Sequence, residues 1–422
     1  MRQIFTALTL RRSRSSDLQL KQKPWNRLGH FLSESKQSFL AHVHSETPAQ
    51  ARDWRFVIGN EIPDLDSIAC SIVYSWVYAW DNGIPSVPLI RMTRAELSLR
   101  PENLYALQLA GVYSPEDQLL LLDDLEREIS TPGSFPVDRL ILVDHNHVDP
   151  VFVSRAIVTE PPWDGEHPYG NTVVERIIDH HSDEGLYTRT AERTVTTAGS
   201  CASLVASQCP EWMPAEPATL LLCAILLDTN GLKDNVEQVD IDAVTFLLPR
   251  SILQTTCERP SPDILQGLPE IQALTAELMR QRLSLSHLTP LDLLRRDYRE
   301  YTLNVRWYSR PVIRVGISCI PFQAKKSGLT KACQNHSDLH GLAVLAVLIS
   351  QKLTVLTFDQ DGQSLRDRVW HGLETKFQFK PQRKLRITAL PVGMQRRIYS
   401  LPAAEATREF IEGTFKHVLE GC

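Results

Sequence analysis

Apolar segments of this chain end repeatedly in side chains that carry carboxylate or imidazole groups. Residues 54–59, 138–143 and 173–178 are predicted to be short buried strands, and residues 217–227 a nearly continuous apolar helix. The polar groups that follow are Asn60, Asp64 and Asp66, then Asp144, then Asp179, His180 and His181, and finally Asp228. Four such endings in one chain indicate a common site.

Helices and further strands fill the intervals between these segments. Residues 25–41 place Leu28, Phe31, Leu32, Phe39 and Leu40 on one stripe of a helix. Further helices are predicted from Ser67 to Asn82, at 101–110 and from Cys201, and further strands at 87–90 and 118–122. In the last third of the chain, segments 312–320, 342–350 and 352–359 are predicted to supply strands and a helix. Strands that alternate with helices are typical of an α/β fold with a mainly parallel sheet.

The polar endings predict a metal site. In an open α/β sheet the carboxyl ends of the strands form one edge, and ligands bind there. Oxygen ligands with a little imidazole suit Mn²⁺ or Mg²⁺, and several carboxylates cannot stay ionised together without cations. We therefore predict a cluster of two divalent ions. The alternative, that an Asp after a strand is a helix cap or turn residue, is equally good for any single Asp but not for all four segments together.

Composition restricts the class of protein. Hydrophobic residues make up 43% and charged residues 23% of the 422 residues, as in globular proteins of two or three domains. No apolar run approaches the roughly 18 to 20 residues of a membrane helix, so we expect a soluble protein without a membrane partner. The 8 Cys are scattered without a Cys-x-x-Cys pair, which argues against disulfides or zinc and favours a reducing compartment.

Charge is distributed unevenly along the chain. Residues 271–422 contain 23 Lys and Arg against 13 Asp and Glu, a net charge of +10, which leaves −15 for residues 1–270. An acidic half that binds metals and a basic half together suggest a polyanionic substrate. Two solvated surfaces of opposite sign are the alternative explanation.

The chain is predicted to have four parts. Residues 1–24 carry six Lys or Arg and one acid, as in a mitochondrial presequence or a disordered basic tail, of which we favour the tail. Residues 25–250 form the catalytic domain, the Pro-rich residues 251–270 a linker, and residues 271–422 a second domain. The expected location is the cytoplasm, with the mitochondrial matrix as the alternative.

The motifs resemble those of the DHH phosphoesterase superfamily. GNEIPDLDS at 59–67 is similar to the first motif of its exopolyphosphatase and prune-like branch, which has Asn where family II pyrophosphatases and RecJ-type exonucleases have His. VDHN, IDHH and LLDTNGLK, which contain Asp144, Asp179 and Asp228, resemble the second, third and fourth motifs. The resemblance implies a DHH domain, a smaller DHH-associated α/β domain, and an active site in the cleft between them.

The resemblance also implies ligands for two metal ions. The first ion would be held by Asn60, Asp64, Asp144 and Asp228, and the second by Asp66, Asp144, His180 and Asp228. A hydroxide that bridges the two ions would attack phosphorus in line, while the ions offset charge on the phosphoryl oxygens. His181 would contact the phosphate or the leaving oxygen, and Asp179 would orient the imidazoles.

Basic residues of the second domain are predicted to bind the substrate. By resemblance these are Arg299, Arg383 and Lys384, with Lys326 included although an exposed loop explains it equally well. We expect a monomeric exopolyphosphatase that releases orthophosphate from linear inorganic polyphosphate and binds no nucleic acid. The alternatives are a pyrophosphatase, a short-chain polyphosphate or nucleotide phosphodiesterase, an exonuclease, which the lack of interleaved aromatic residues disfavours, and a scaffold that has lost catalysis.

Overall fold

The computed structural model of the chain describes most of its residues and divides them into two compact units. The described residues are 28–45, 48–130, 135–152, 173–190, 192–253, 262–308, 310–323, 327–358, 363–382, 390 and 393–420. The division between the units falls between Arg282 and Leu283. The predicted N-terminal extension at 1–24 lies outside the described residues.

A six-stranded sheet forms the centre of the first unit, and every pair of neighbouring strands in it is parallel. Its strands are β1 (Arg55–Ile58), β2 (Ser86–Ile90), β3 (Leu120–Leu121), β4 (Arg139–Val143), β5 (Val173–Asp179) and β6 (Glu192–Val195). Their order across the sheet is β3-β2-β1-β4-β5-β6. The predicted α/β class with a parallel sheet is therefore confirmed.

Both faces of the central strands β1 and β4 are buried, which explains why these strands lack polar alternation. Phe56 and Ile58 of β1 pack into one apolar cluster, whereas Val57 packs into the cluster on the opposite face. In β4, Leu140 and Leu142 share the first cluster and Ile141 the second. Strands covered on both faces read as continuous apolar runs, as these do.

Ten helices of the described residues belong to this unit. They are α1 (Leu28–Val43), α2 (Leu65–Asn82), α3 (Pro101–Leu109), α4 (Pro115–Gln118), α5 (Glu126–Ser130), α6 (Cys201–Ala206), α7 (Ala215–Asp228), α8 (Gln238–Leu247), α9 (Pro262–Gly267) and α10 (Pro269–Arg282). Helix α7 is apolar on all sides because it contacts α2, α3, α6, α8 and α10. Short 3₁₀ turns lie at Pro48–Asp53, Arg94–Leu99, Leu122–Leu125, Pro150–Phe152 and Leu248–Arg250.

The division between the units lies later in the chain than the predicted linker at 251–270. Helices α9 and α10 pack into the core of the first unit through Leu265, Ile271, Leu274 and Leu278. The last three residues share one stripe of α10, so this helix needs the first unit to bury its apolar side. The second unit consequently begins near Leu283 and not at residue 271.

The second unit is built on a mixed six-stranded sheet in the order β11-β12-β10-β9-β8-β7. Its strands are β7 (Tyr298–Asn304), β8 (Val312–Cys319), β9 (Val344–Ile349), β10 (Lys352–Phe358), β11 (Lys380–Pro381) and β12 (Met394–Ser400). Only the β8–β9 pair is parallel. Its helices are α11 (Pro290–Arg295), α12 (Leu329–His340), α13 (Gln363–His371) and α14 (Arg408–Glu420), with a π turn at Gly372–Lys376 and a 3₁₀ turn at Ala403–Glu405.

Two further observations concern the described residues of both units. None of their helices combines the length and apolar character that a membrane span needs. The cysteines among them are free thiols, namely Cys70, Cys201, Cys209, Cys223, Cys319 and Cys333.

Candidate metal centre

The predicted motifs meet at the carboxyl edge of the parallel sheet. From β1 the chain builds the sheet in one direction through β2 and β3, and from β4 it builds in the other through β5 and β6. The β1–β4 pair is therefore the point where the strand order reverses, and such points are where α/β sheets bind ligands. Asn60 follows β1, Asp144 follows β4, and Asp179 ends β5.

Asp64 begins helix α2 as its N-cap. Its carboxylate accepts a hydrogen bond of 3.1 Å from the backbone N–H of Ser67. Asp64, and not Ser67, is therefore the cap, so the capping explanation holds for this one Asp of the first motif. A cap uses one carboxylate oxygen, which leaves the second oxygen of Asp64 available for a metal.

Asp66 lies in the first turn of helix α2 and is held by the first backbone amides of helix α6. Its two carboxylate oxygens accept hydrogen bonds of 2.7 Å each from the N–H groups of Cys201 and Ala202. The anion at these helix N-terminal amides is therefore the Asp66 side chain. With 2% of its surface exposed, Asp66 is fixed in orientation by these bonds.

Asp144 adopts a left-handed backbone conformation at the end of β4, with φ of 61°. Residues other than Gly rarely adopt this conformation, and Asn and Asp tolerate it best. Two hydrogen bonds hold it here: the Asp144 N–H donates to the carbonyl of Ile178 at 2.9 Å, and the Asn60 side-chain amide donates to the carbonyl of Asp144 at 3.2 Å. The turn directs a carboxylate that is 3% exposed into the cluster.

His180 presents one ring nitrogen to the carboxylates because its other nitrogen is occupied. Nδ1 lies 3.0 Å from the carbonyl of Ala198, so it carries the proton in the neutral ring. Nε2 lies 3.3 Å from the nearer carboxylate oxygen of Asp144 and 3.7 Å from that of Asp66. A backbone carbonyl that orients the second nitrogen in this way is typical of histidine metal ligands.

Asp179 organises the third motif from a fully buried position. It accepts hydrogen bonds from the Asn146 amide at 2.6 Å, from the backbone N–H of His180 at 2.8 Å and from Nδ1 of His181 at 2.7 Å. Burial alone would raise the pKa of Asp179, but the bond from His181 and the other bonds lower it. Asn146 was not predicted as a site residue, although its place two residues after Asp144 was the available signal.

The carboxylates of this site raise one another's pKa values. Burial and the charge of Asp66 raise the pKa of Asp144 to about 8. Burial raises the pKa of Asp66, which His180 opposes and Asp64 reinforces, and burial together with Asp66 and Asp64 raises that of Asp228 well above its ordinary value. Protons thus take the place that cations would have, so the donor set fits divalent metal ions.

Neighbouring carboxylates also raise the pKa values of His180 and His181. Burial lowers the pKa of His180, but its bond to Asp144 and the charge of Asp66 more than offset burial and raise it to about 11. The bond to Asp179 raises the pKa of His181. One ligand atom each of Asp144, His180 and His181 lies within 4.8 Å of the other two, a spacing at which a single metal ion can be held.

Two other predicted site residues, Asn60 and Arg299, have described contacts within their own units. Asn60 bonds the backbone of Asp144, and its carbonyl oxygen accepts from the N–H of Ile62 at 3.4 Å. Arg299 lies on β7 in the second unit, where its guanidinium is 4.0 Å from the Glu412 carboxylate and lies over the ring of Tyr301. The remaining predicted substrate residues, Lys326, Arg383 and Lys384, lie outside the described residues.

Asn60→Ala is expected to weaken Mn²⁺ binding by about tenfold or more, the usual cost of losing a group that orients a ligand. The variant loses the bond that supports the left-handed Asp144 as well as a predicted ligand. Calorimetric Mn²⁺ titration measures the change. Asn82→Ala is the matched control, because it loses a hydrogen bond from the side-chain amide to the carbonyl of Tyr78 at the opposite end of helix α2. Equal affinities in both variants would contradict the role of Asn60.

Known proteins share sequence with about two-thirds of this chain. It is 31% identical over 294 residues to a Schizosaccharomyces pombe protein named "Putative exopolyphosphatase", across 65% of this chain and 67% of that protein. It is 28% identical over 303 residues to Bos taurus "Exopolyphosphatase PRUNE1", across 68% of this chain but 58% of the bovine protein. The match thus spans less than two-thirds of the bovine relative. No family model matches the chain.

One solved structure aligns over most of the chain at low sequence identity. It is that of a Methanococcus jannaschii "putative family II inorganic pyrophosphatase", which covers 86% of this chain and 99% of its own at 15% identity, with a TM-score of 0.48.

Proposed function

Because the chain belongs to the exopolyphosphatase and prune-like branch of the DHH phosphoesterase superfamily, we propose that it is a metal-dependent exopolyphosphatase. It would hydrolyse the terminal phosphoanhydride bond of linear inorganic polyphosphate and release orthophosphate. The observation that carries this proposal is the convergence of Asp66, Asp144 and His180, with Nε2 of the histidine 3.3 and 3.7 Å from the two carboxylates. The names of the relatives supply the substrate class.

We assign the metal ligands from the motifs and their placement. The set is Asn60, Asp64, Asp144 and Asp228 for one ion and Asp66, Asp144, His180 and Asp228 for the other. Oxygen-rich donors favour Mn²⁺ or Mg²⁺ over softer metals. When bound, the two ions supply a nucleophile at neutral pH and offset negative charge on the phosphoryl oxygens.

The protein's own side chains have separate tasks in this proposal. The buried Asp179 holds Nδ1 of His181 at 2.7 Å, which leaves Nε2 as the nitrogen available to substrate. The side chain of His181 is 50% exposed, compared with 18% for His180. The hydrogen bond to Asp179 raises the pKa of His181, which favours the protonated ring that a donor to the leaving phosphate oxygen requires. We therefore assign His181 as the general acid and His180 as a metal ligand.

The second unit is proposed to bind the polyphosphate chain. The residues assigned are Arg299, Arg383 and Lys384, which resemble basic positions of the family, together with Lys326. Charge-assisted bonds from guanidinium and ammonium groups to phosphate are strong and do not depend on base or sugar, so they suit a repeating polyanion. The expected cellular location is still the cytoplasm, and the expected oligomeric state is still a monomer.

Orthophosphate release from long polyphosphate, tripolyphosphate and pyrophosphate, measured in parallel, tests the proposal. Each substrate is assayed with Mn²⁺, with Mg²⁺ and with a chelator. We expect metal-dependent release from the two longer substrates and little from pyrophosphate. Dominant cleavage of pyrophosphate would transfer the protein to the pyrophosphatase function. If orthophosphate is released from none of the three, cleavage of a nucleotide phosphodiester would favour a phosphodiesterase. The same absence of release in a protein that contains no metal would favour a scaffold.

A further inference from the structure

A short backbone segment, residues 198–202, contacts two of the proposed metal ligands without being a ligand itself. The carbonyl of Ala198 accepts the hydrogen bond from Nδ1 of His180 at 3.0 Å. The N–H groups of Cys201 and Ala202 donate to the two carboxylate oxygens of Asp66 at 2.7 Å each. The orientation of both ligands therefore depends on where this segment lies.

The side chain of Asp240 holds the segment in place. One of its oxygens accepts from the N–H of Gly199 at 2.8 Å, and the other accepts from the hydroxyl of Ser203 at 2.6 Å and from the N–H of Ser200 at 3.3 Å. The N–H of Glu237, at the start of helix α8, donates to the first oxygen at 2.8 Å. Asp240 is fully buried, so each of these four bonds is shielded from competing water.

Close packing prevents the segment from compensating for a loss of these bonds. A Cβ atom on Gly199 would lie 2.4 Å from the carbonyl oxygen of Asn235 and 2.7 Å from the methyl group of Thr229. Thr229 directly follows the proposed ligand Asp228. The backbone at Gly199 thus packs closely between the Asp240 carboxylate and the loop of the fourth motif. A shift of the segment would therefore move Asp66 of the first motif, His180 of the third motif and the loop of the fourth motif together.

We propose that Asp240 is a positioning residue of the metal centre. By accepting four hydrogen bonds it fixes the 198–202 segment. The segment in turn orients Nε2 of His180 and the carboxylate of Asp66 for metal binding. The inference rests on the proposed function, because it takes these two residues as ligands. Asp240 touches neither metal nor substrate in this arrangement, and its effect is exerted through the backbone amides and the carbonyl of the segment.

Asp240→Asn tests the inference, because it keeps the shape of the side chain but places an NH₂ group against donors. We expect Mn²⁺ affinity to fall by roughly 10- to 100-fold, the range found when groups behind metal ligands are replaced. The fraction of free Mn²⁺, measured by electron paramagnetic resonance during titration of the full chain, gives the dissociation constant. Turnover should recover toward the native value as Mn²⁺ approaches saturation.

Two further variants separate positioning from simple stabilisation. Asp242→Asn is the matched control, because Asp242 is exposed on the same helix and bonded to Gln238, and it should leave the affinity unchanged. Ser203→Ala removes one of the four donors, keeps the carboxylate, and should weaken Mn²⁺ binding in the same direction by a smaller factor. It serves in place of Asp240→Asn if that variant does not fold.

The outcomes distinguish this inference from the function on which it rests. If the native chain binds Mn²⁺ and Asp240→Asn binds it within about twofold of the native affinity, the inference is overturned and the proposed function stands, even if the metal-free variant unfolds at a lower temperature. For Ser203→Ala the same result has the same meaning. If the native chain binds no Mn²⁺ or Mg²⁺, the proposed metal centre is overturned, and the inference with it.

Discussion

Asp144→Asn is expected to lower metal-dependent orthophosphate release by about 10³-fold or more while the chain stays folded. The assigned role of Asp144 is to bridge both metal ions. Without this carboxylate the two ions would not be held together, and the several kcal/mol of charge stabilisation that bound metal ions supply in the transition state would be lost. Each 1.36 kcal/mol corresponds to about a tenfold change in rate. Initial rates on long polyphosphate at saturating Mn²⁺ measure the effect.

Asn is the appropriate replacement for two reasons given by the structure. It tolerates the left-handed backbone at φ of 61° better than residues other than Gly and Asp, so the turn after β4 is retained. It also stays uncharged at every pH, whereas burial and the charge of Asp66 oppose ionisation of Asp144, so the metal-free variant should unfold at a temperature equal to or above that of the native protein. Loss of activity with retained stability would identify a functional, and not a structural, role.

A control for this variant is available beside the same sheet. Asp123 follows β3, and its carboxylate accepts a hydrogen bond from the backbone N–H of Arg94 at 2.6 Å. The sequence assigns it no ligand role, and Asp123→Asn should keep the native rate. Native turnover by Asp144→Asn would show that the metal assignment is incorrect, and a comparable loss in Asp123→Asn would show that the assay reports general damage.

Mn²⁺ affinity is expected to rise steeply with pH between about pH 6 and about pH 8, by roughly tenfold per pH unit for each proton displaced. Asp144, with a pKa of about 8, and His180, with a pKa of about 11, both hold protons in the metal-free protein over this range. A metal ion must displace these protons to bind. Above about pH 8 the contribution of Asp144 ends and the slope should decrease.

The stability of the metal-free protein should change in the opposite direction. The folded-state pKa of Asp144 lies above its ordinary value of 3.8, so the folded state binds more protons than the unfolded chain between these two values. Stability is therefore greatest at the acidic end of that interval and falls as the pH rises toward about 8. Thermal unfolding with and without Mn²⁺ should diverge as the pH increases.

Calorimetry in buffers of different ionisation enthalpy counts the protons released when Mn²⁺ binds. Asp144→Asn provides the control, because the variant lacks one of the displaced protons and should show a shallower dependence of affinity on pH. An affinity that does not change between about pH 6 and about pH 8 would contradict the assignment of Asp144 and His180 as ligands.

The sequence predicted the elements that deliver the site because burial leaves a clear pattern there. Strands β1 and β4 are covered on both faces, so they end in unbroken apolar runs, and the polar residues that follow stand out. Strand β5 is interrupted by Glu175 and Arg176 but is apolar again at Ile177 and Ile178, directly before Asp179. Helix α7 is recognisable for the same reason, since it is buried on all sides. The three predicted strands and the predicted helix that precede the motif residues are therefore all present in the structure.

Features that depend on contacts between distant residues could not be predicted in this way. The amides of helix α6 bind the carboxylate of Asp66, which is supplied from a helix far away in sequence. Nothing in the pattern around Asp240 distinguishes its buried carboxylate from the exposed one of Asp242 two residues later. Residues 271–282 of helix α10 were assigned to the second domain because the apolar stripe of Ile271, Leu274 and Leu278 does not indicate which of the two cores it packs into.

The strand order of the first unit also determines when a metal ion can first be bound during folding. Phe56 of β1 pairs with Leu140 of β4, and the remaining site residues reach as far as Asp228 along the chain. Parallel pairs with long crossovers form slowly, because loop closure precedes the contacts that reward it. The assigned ligands extend from Asn60 to Asp228, so metal uptake should follow folding of this unit. On the ribosome, a chain that ends before Asp228 lacks a ligand assigned to both ions and is expected not to hold them.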